Sequence, residues 1–169
     1  WNYRKSLNIN TIAITGSAGK TSVKELTGFC LKKLDKTYFS KKSFNNKFGV
    51  PLSIFNTPEK TKFLVLEAGM NKKGEIDNLT KLIRPNLGLI TNISYAHIKN
   101  FKNLNQIAKA KSEMINNITH NGSMIINMDD KLTTPEVLGV VNQWLQFGTT
   151  VFSDGTIAKK MNIEFDTSK

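Results

Sequence analysis

Short, wholly apolar runs alternate with longer stretches in which apolar residues recur every three or four positions, and this alternation holds to about residue 127. Thr11–Thr15 (TIAIT) reads as a strand. The spacing then predicts a helix over 20–34 with Val23, Leu26, Cys30, Leu31 and Leu34 on one face. Phe63–Glu67 (FLVLE) is a second buried strand, and Gly74–Arg84 is helical with Ile76, Leu79, Leu82 and Ile83 inward. Pro85 stops that helix. Leu87–Ile93 is a third strand, 103–118 the longest helix, and Ser123–Asn127 a fourth strand entered through the Asn121-Gly122 turn. Strands that are apolar throughout, separated by helices, imply an α/β fold: a mostly parallel sheet with helices on both faces. After about Leu145 the pattern changes to short strand-like runs divided by Gly and Asp turns.

The first strand runs into Gly16-Ser17-Ala18-Gly19-Lys20-Thr21-Ser22 and then into the first helix. That is the context a phosphate-binding loop requires. Glycines at 16 and 19 let the backbone turn and approach an anion, and the loop amides and helix amino terminus supply donors and a positive dipole. Lys20 can reach terminal phosphates, and the Thr21 hydroxyl can hold Mg²⁺. The longer pattern GxxxxGK[ST] asks for glycine at 14, where Ile14 stands, so the nucleotide reading rests on the shorter TGxxGK[ST] form.

Two further positions carry chemistry. Glu67 closes the second strand, and in open parallel sheets ligands sit beyond the carboxyl ends of the strands. It is a Mg²⁺ ligand or a solvated strand end. On the 103–118 helix, Leu104, Ile107, Ala108, Met114, Ile115 and Ile118 form one stripe, with Lys111 at its middle and Lys109 and Glu113 on the opposite, solvated side. A lysine there is functional, or its stem snorkels to the surface. His97, in the loop before this helix, is a candidate metal or phosphate contact.

Charge and composition change this picture little. The net charge is +11, but the lysines are scattered, without the aromatic interleaving of a nucleic-acid surface. No apolar run approaches the roughly 18 residues of a membrane span. The single cysteine, Cys30, excludes an internal disulfide and reads as core packing, and the whole fits a cytoplasmic location. The chain starts at Trp1 and stops at Lys169 just after a strand-like run, so it reads as one excised or shortened domain over 1–169.

The motifs TGSAGKTS at 15–22, NNKFGVPLSIF at 45–55, LEAGMNKKGEIDNL at 66–79, PNLGLITNISYAHIKNF at 85–101, IAKAKSEM at 107–114 and INMDD at 126–130 together resemble the central ATP-binding domain of the Mur ligase family. These are the ATP-dependent amide-forming enzymes of peptidoglycan synthesis. GEI at 74–76 and AHxxxF at 96–101 are most similar to the member that adds D-alanyl-D-alanine to the UDP-N-acetylmuramoyl tripeptide. The resemblance implies a P-loop-containing domain whose amino-terminal UDP-sugar domain and carboxyl-terminal domain are absent. It implies that Gly16, Ser17, Ala18, Gly19, Lys20, Thr21 and Ser22 bind ATP phosphate, with Asn127 and Asp130 near adenine and ribose. Asn45 and Asn46 would lie beside substrate and γ-phosphate, and Thr91 and Asn92 would close the crevice. Thr21 and Glu67 would hold one Mg²⁺, and His97 a second with Lys111 as a carbamate. Lys20, Lys111 and His97 would be the catalytic set. The partners implied are ATP, the UDP-MurNAc-tripeptide and D-Ala-D-Ala, with a monomer that engages neither nucleic acid nor membrane. Ala18 departs from the polar residue relatives usually carry.

Three rivals remain at this level: another amide ligase of the same family, a P-loop NTPase of motion or signalling, and a non-catalytic nucleotide-binding fragment. An aspartate after the second strand would favour the NTPase, and Glu67 stands there instead.

Overall fold

The computed structural model describes residues 7–95, 100–127, 150–153 and 156–158. Along the chain it shows β1 (Asn10–Thr15), α1 (Lys20–Leu31), β2 (Thr37–Phe39), α2 (Gly49–Phe55) and β3 (Phe63–Glu67). Then follow α3 (Glu75–Ile83), β4 (Leu87–Ile90), α4 (Leu104–Ser112), a 3₁₀ turn (Glu113–Asn117), β5 (Ser123–Ile126), β6 (Thr150–Ser153) and β7 (Thr156–Ala158). The strands form one sheet in the order β2-β3-β1-β4-β5-β6-β7. Every pairing through β6 is parallel, and β7 returns antiparallel to β6. The expected α/β architecture is therefore present. β2 and α2 are additions to the elements read from the sequence.

Alternation along the central strands divides the core. Ala13, Leu64, Leu66, Ile90 and Met124 belong to the large cluster that also takes in Val50 and Ile54 of α2, Ile76, Leu79 and Ile83 of α3, and Ile107 of α4. Ile12, Ile14 and Val65 point the other way and form a small cluster with Val23 and Leu31 of α1 and Phe39 of β2. One face is thus deeply covered, and the other is covered by α1 alone among the described helices.

That thin layer corrects the reading of α1. The helix ends at Leu31, and its fully buried positions are Lys24 and Gly28. Leu26, at 66% exposed, and Leu34, at 74%, face outward, and Cys30 is exposed rather than packed in the core. The cause is a close approach at Gly28, where an added Cβ would lie 2.3 Å from the Phe39 ring. The helix therefore turns its bare glycine edge, not its Leu26–Cys30 edge, to the sheet.

The strand order reverses around β1. β3 lies on one side of it and β4 on the other, so the carboxyl ends of β1, β3 and β4 open into one crevice.

Candidate functional site

The loop after β1 is built for an anion. Gly16 has φ 148 and Gly19 φ 76, both costly for a side-chain-bearing residue. A Cβ on Gly16 would stand 1.9 Å from Thr91 Oγ1, so glycine is required by space as well. The segment after β4 braces the loop. Ser17 N donates to the Asn92 carbonyl at 2.9 Å, Ala18 N to Asn92 Oδ1 at 2.9 Å, and Thr91 Oγ1 to the Ala18 carbonyl at 2.6 Å. Ser94 N donates to Ser17 Oγ at 2.8 Å. Thr91 and Asn92 thus brace the loop.

Lys20, on the first turn of α1, folds back so that Nζ donates to the Gly16 carbonyl at 2.9 Å and the Ser17 carbonyl at 3.4 Å. Burial pulls its pKa below the ordinary lysine value, and the carboxylate of Glu67 pushes against that shift. Thr21 Oγ1 donates to Glu67 Oε2 at 2.9 Å. Glu67 is 1% exposed, so it is not a solvated strand end. Its second oxygen accepts from Asn45 Nδ2 at 2.7 Å, and Ser43 Oγ lies 3.3 Å from Thr21 Oγ1.

Lys111 reaches the same place from α4. It is 2% exposed, and Nζ donates to the Gly16 carbonyl at 2.9 Å, the acceptor Lys20 also uses. Burial first, and then the nearby Lys20 charge, lower its pKa to about 7. The amine is therefore substantially neutral at neutral pH, and snorkelling is excluded.

A cleft of about 560 Å³ opens here, with Lys20, Asn45, Asn46, Gly69, Glu75 and Lys111 in its lining. A larger depression of about 640 Å³ lies at the opposite end of the strands, between Leu7–Ile9 and Thr57–Lys62, and gathers none of the implied site residues. Asn46 turns its Oδ1 to the amides of Phe48 and Gly49 and so serves the start of α2. Asn127 Nδ2 donates to the Thr91 carbonyl at 3.2 Å, at the rim of the β4 end. His97 and Asp130 lie outside the described residues.

Sequence reasoning missed Ser43, Lys24 and Glu113. The last was assigned to the solvated side of its helix. It instead accepts from Gly74 N at 2.9 Å and Asp77 N at 3.2 Å, holding the amino terminus of α3. The physical reason is that the side of α4 away from the stripe is not all solvent: the start of α3 lies there and offers the Gly74 and Asp77 amides. Burial raises the pKa of the Glu113 carboxyl against the opposing pull of those amides.

Among the described residues no group of three or more His, Cys, Asp or Glu gathers, so a cation here would rely on Thr21, Glu67, water and phosphate oxygen. No helix among them is long and apolar enough to cross a membrane.

The family profile of the Mur ligase middle domain matches residues 14–168. The chain is 42% identical over 130 residues to the UDP-N-acetylmuramoyl-tripeptide--D-alanyl-D-alanine ligase of Haemophilus influenzae, covering 75% of this chain and 28% of that protein. It is 36% identical over 143 residues to the Escherichia coli ligase of the same name, covering 83% and 32%. The structure of MurF from Acinetobacter baumannii superposes with a TM-score of 0.81 at 31% identity, over 90% of this chain and 33% of that one. The Thermotoga maritima MurF ligase in complex with ADP gives 0.78 at 25% identity, over 93% and 35%. The chain spans about a third or less of the length of these relatives.

Proposed function

The chain belongs to the Mur ligase family, and from that premise we propose that it supplies the ATP and Mg²⁺ half of the ligase that joins D-alanyl-D-alanine to the UDP-MurNAc-tripeptide. The observation that carries this reading is the Thr21 Oγ1 to Glu67 Oε2 contact of 2.9 Å directly behind the phosphate-loop lysine. Two oxygen donors side by side suit a hard cation, which completes its shell with water and phosphate oxygen. When bound, Mg²⁺ neutralises charge on the transferring phosphoryl group.

The residues of the chain then have distinct tasks. The amides of 16–21 and the positive end of α1 hold the phosphates. Lys20 leaves the Gly16 and Ser17 carbonyls for the terminal phosphate oxygens and offsets charge that gathers there. A carboxylate oxygen of the tripeptide attacks the γ-phosphorus, the bond to the ADP oxygen breaks, and an acyl phosphate forms. The amine of D-Ala-D-Ala attacks the acyl carbon; phosphate leaves and the amine gives up a proton. Asn45, held between Glu67 and the cleft, orients the acceptor side of this reaction.

Lys111 fits the carbamate reading. Its neutral amine can add to CO₂ with loss of one proton, giving an anionic oxygen ligand in place of a cation. With His97 that ligand would hold a second Mg²⁺. The flanking domains found in the family would orient the two substrates, so the 169-residue chain alone should not ligate at a useful rate.

The test has two arms. Calorimetry on this chain should show ATP binding that strengthens with Mg²⁺, with the Mg²⁺ increment lost in Glu67→Gln. Absence of nucleotide affinity would sink the reading. In the complete reading frame that contains the chain, ADP release should require both the tripeptide and D-Ala-D-Ala. Release with a different amino acceptor would move the assignment to another ligase of the family.

A further inference from the structure

The helix that follows the phosphate loop carries a second lysine, Lys24, one turn beyond Lys20, and it is completely buried. Its Nζ donates to the Ser40 carbonyl at 2.6 Å and the Lys42 carbonyl at 2.5 Å, and it pairs with Glu25 Oε1 at 3.1 Å. Three acceptors match the three donors of an ammonium group. Two of them belong to one short stretch of backbone, the segment that leaves the carboxyl end of β2.

Beyond the lysine that segment becomes part of the site. Ser43 Oγ lies 3.3 Å from Thr21 Oγ1, Asn45 Nδ2 donates to Glu67 Oε1 at 2.7 Å, and Gly69 N donates to the Asn45 carbonyl at 2.7 Å. Lys42 sits between clamp and site at φ 49, a left-handed conformation that a non-glycine residue rarely adopts. The path of the segment is therefore imposed from outside it. The amine fastened to its first turn belongs to the phosphate-loop helix itself.

We infer that Lys24 is a positioning residue: it pins residues 40–46 to α1, so that Ser43 and Asn45 are held against Thr21 and Glu67. It touches neither nucleotide nor cation. One helix then carries Lys20 for the phosphates, Thr21 for the cation and Lys24 for the loop that completes their surroundings. The inference rests on the nucleotide and metal reading above for its functional consequence, but the clamp itself can be measured without nucleotide.

The experiment compares this chain with Lys24→Met and with Lys42→Pro, which denies position 42 its left-handed φ from the exposed side. ADP affinity is measured by calorimetry with EDTA and with Mg²⁺, and amide hydrogen exchange is followed in the free chain. Both variants should keep EDTA affinity within about twofold while the Mg²⁺ increment falls about tenfold. Exchange at the Gly69 amide should accelerate about tenfold or more, while the Ala68 amide, bonded to the Ile14 carbonyl, stays protected. Should Lys24→Met not fold, Lys42→Pro breaks the same clamp without opening the interior and carries both readouts. Unchanged Gly69 exchange in a folded variant overturns the inference. So does an equal loss of affinity with and without Mg²⁺, which marks general damage. If the parent chain shows no ADP affinity at all, the nucleotide reading falls, and Gly69 exchange still decides the clamp.

Discussion

Two lysines are buried on either side of the phosphate loop, and their surroundings differ in one countable respect. Lys24 on α1 has two carbonyls and a carboxylate, one acceptor for each N–H. Lys111 on α4 has the Gly16 carbonyl, which it shares with Lys20, and the like charge of Lys20 beside it. Both are nearly or wholly removed from solvent, at 0% and 2% exposed. Burial first, and then the neighbouring Lys20 charge, set Lys111 apart, whereas Lys24 makes three polar contacts, one of them an ion pair. A saturated amine serves as a fixed strut. A buried amine beside a like charge, as Lys111 is beside Lys20, gives up its proton near neutral pH and becomes a nucleophile.

The largest effect should come from the residue next to both. Lys20→Ala removes the phosphate-loop cation and should lower ATP affinity about a thousandfold, about 4 kcal/mol, by calorimetry in Mg²⁺. The same change should move the Lys111 titration upward from about 7, because a like charge has gone, as read by NMR of the lysine side chain. An unmoved titration would mean that desolvation acts alone and that the Lys20–Lys111 coupling is not part of the contrast.

A second effect is a pH dependence of stability. Lys111 is depressed from 10.5 to about 7, so between those values the unfolded chain holds a proton that the folded chain has released. Its contribution to stability therefore rises as pH climbs from 7 to 10.5, and the penalty is fully present below 7. Lys111→Met removes the group and should gain about 4 kcal/mol on the parent at pH 6 relative to its standing at pH 10.5. Urea unfolding at pH 6, 8 and 10.5 reads this, and a pH-independent difference would remove the basis for a reactive Lys111.

Next in size is the close approach that turns α1. Gly28→Ala places a Cβ 2.3 Å from the Phe39 ring and should cost about 2 kcal/mol by urea unfolding, as overpacking does. Because Lys24 lies on the same inward edge, the change should also weaken the clamp and speed exchange at Gly69. A neutral result would show that α1 can slide outward without consequence.

The two helices also explain what was legible in the sequence. On α4 and the 3₁₀ turn that follows it, Ile107, Met114 and Ile115 all face inward, so periodicity located Lys111 correctly. On α1 apolar residues lie all round, and Leu26 and Phe29 are exposed at 66% and 59%, so the count chose the wrong edge and passed over Lys24. A glycine is silent in such a count, yet Gly28 sets the contact. Glu113 was misplaced because a count along one helix does not show the neighbouring helix whose first amides it accepts from. β2 has 3 residues and α2 has 7, too short to show a period, and they are fixed by pairing with β3 and by the Asn46 cap. The phosphate loop and Glu67 were readable because both sit at strand ends, where topology alone brings them together.

The smallest effect tests the orientation of α1 most directly. Cys30 lies on the edge the sequence assigned to the core, and the structure places it in solvent. Cys30→Ser should therefore change unfolding free energy by less than about 0.5 kcal/mol, the range of ordinary surface substitutions. A core thiol replaced by a hydroxyl would instead lose about 1–3 kcal/mol through an unpaired buried polar group. In the folded parent the thiol should react with a disulfide reagent at close to the rate of the urea-unfolded chain, since nothing covers it. Protection of the thiol in the native state, together with a large loss in the serine variant, would rotate α1 back toward its Leu26–Cys30 edge. Lys24 would then leave the Ser40 and Lys42 carbonyls, and the contrast between the two lysines would end with it.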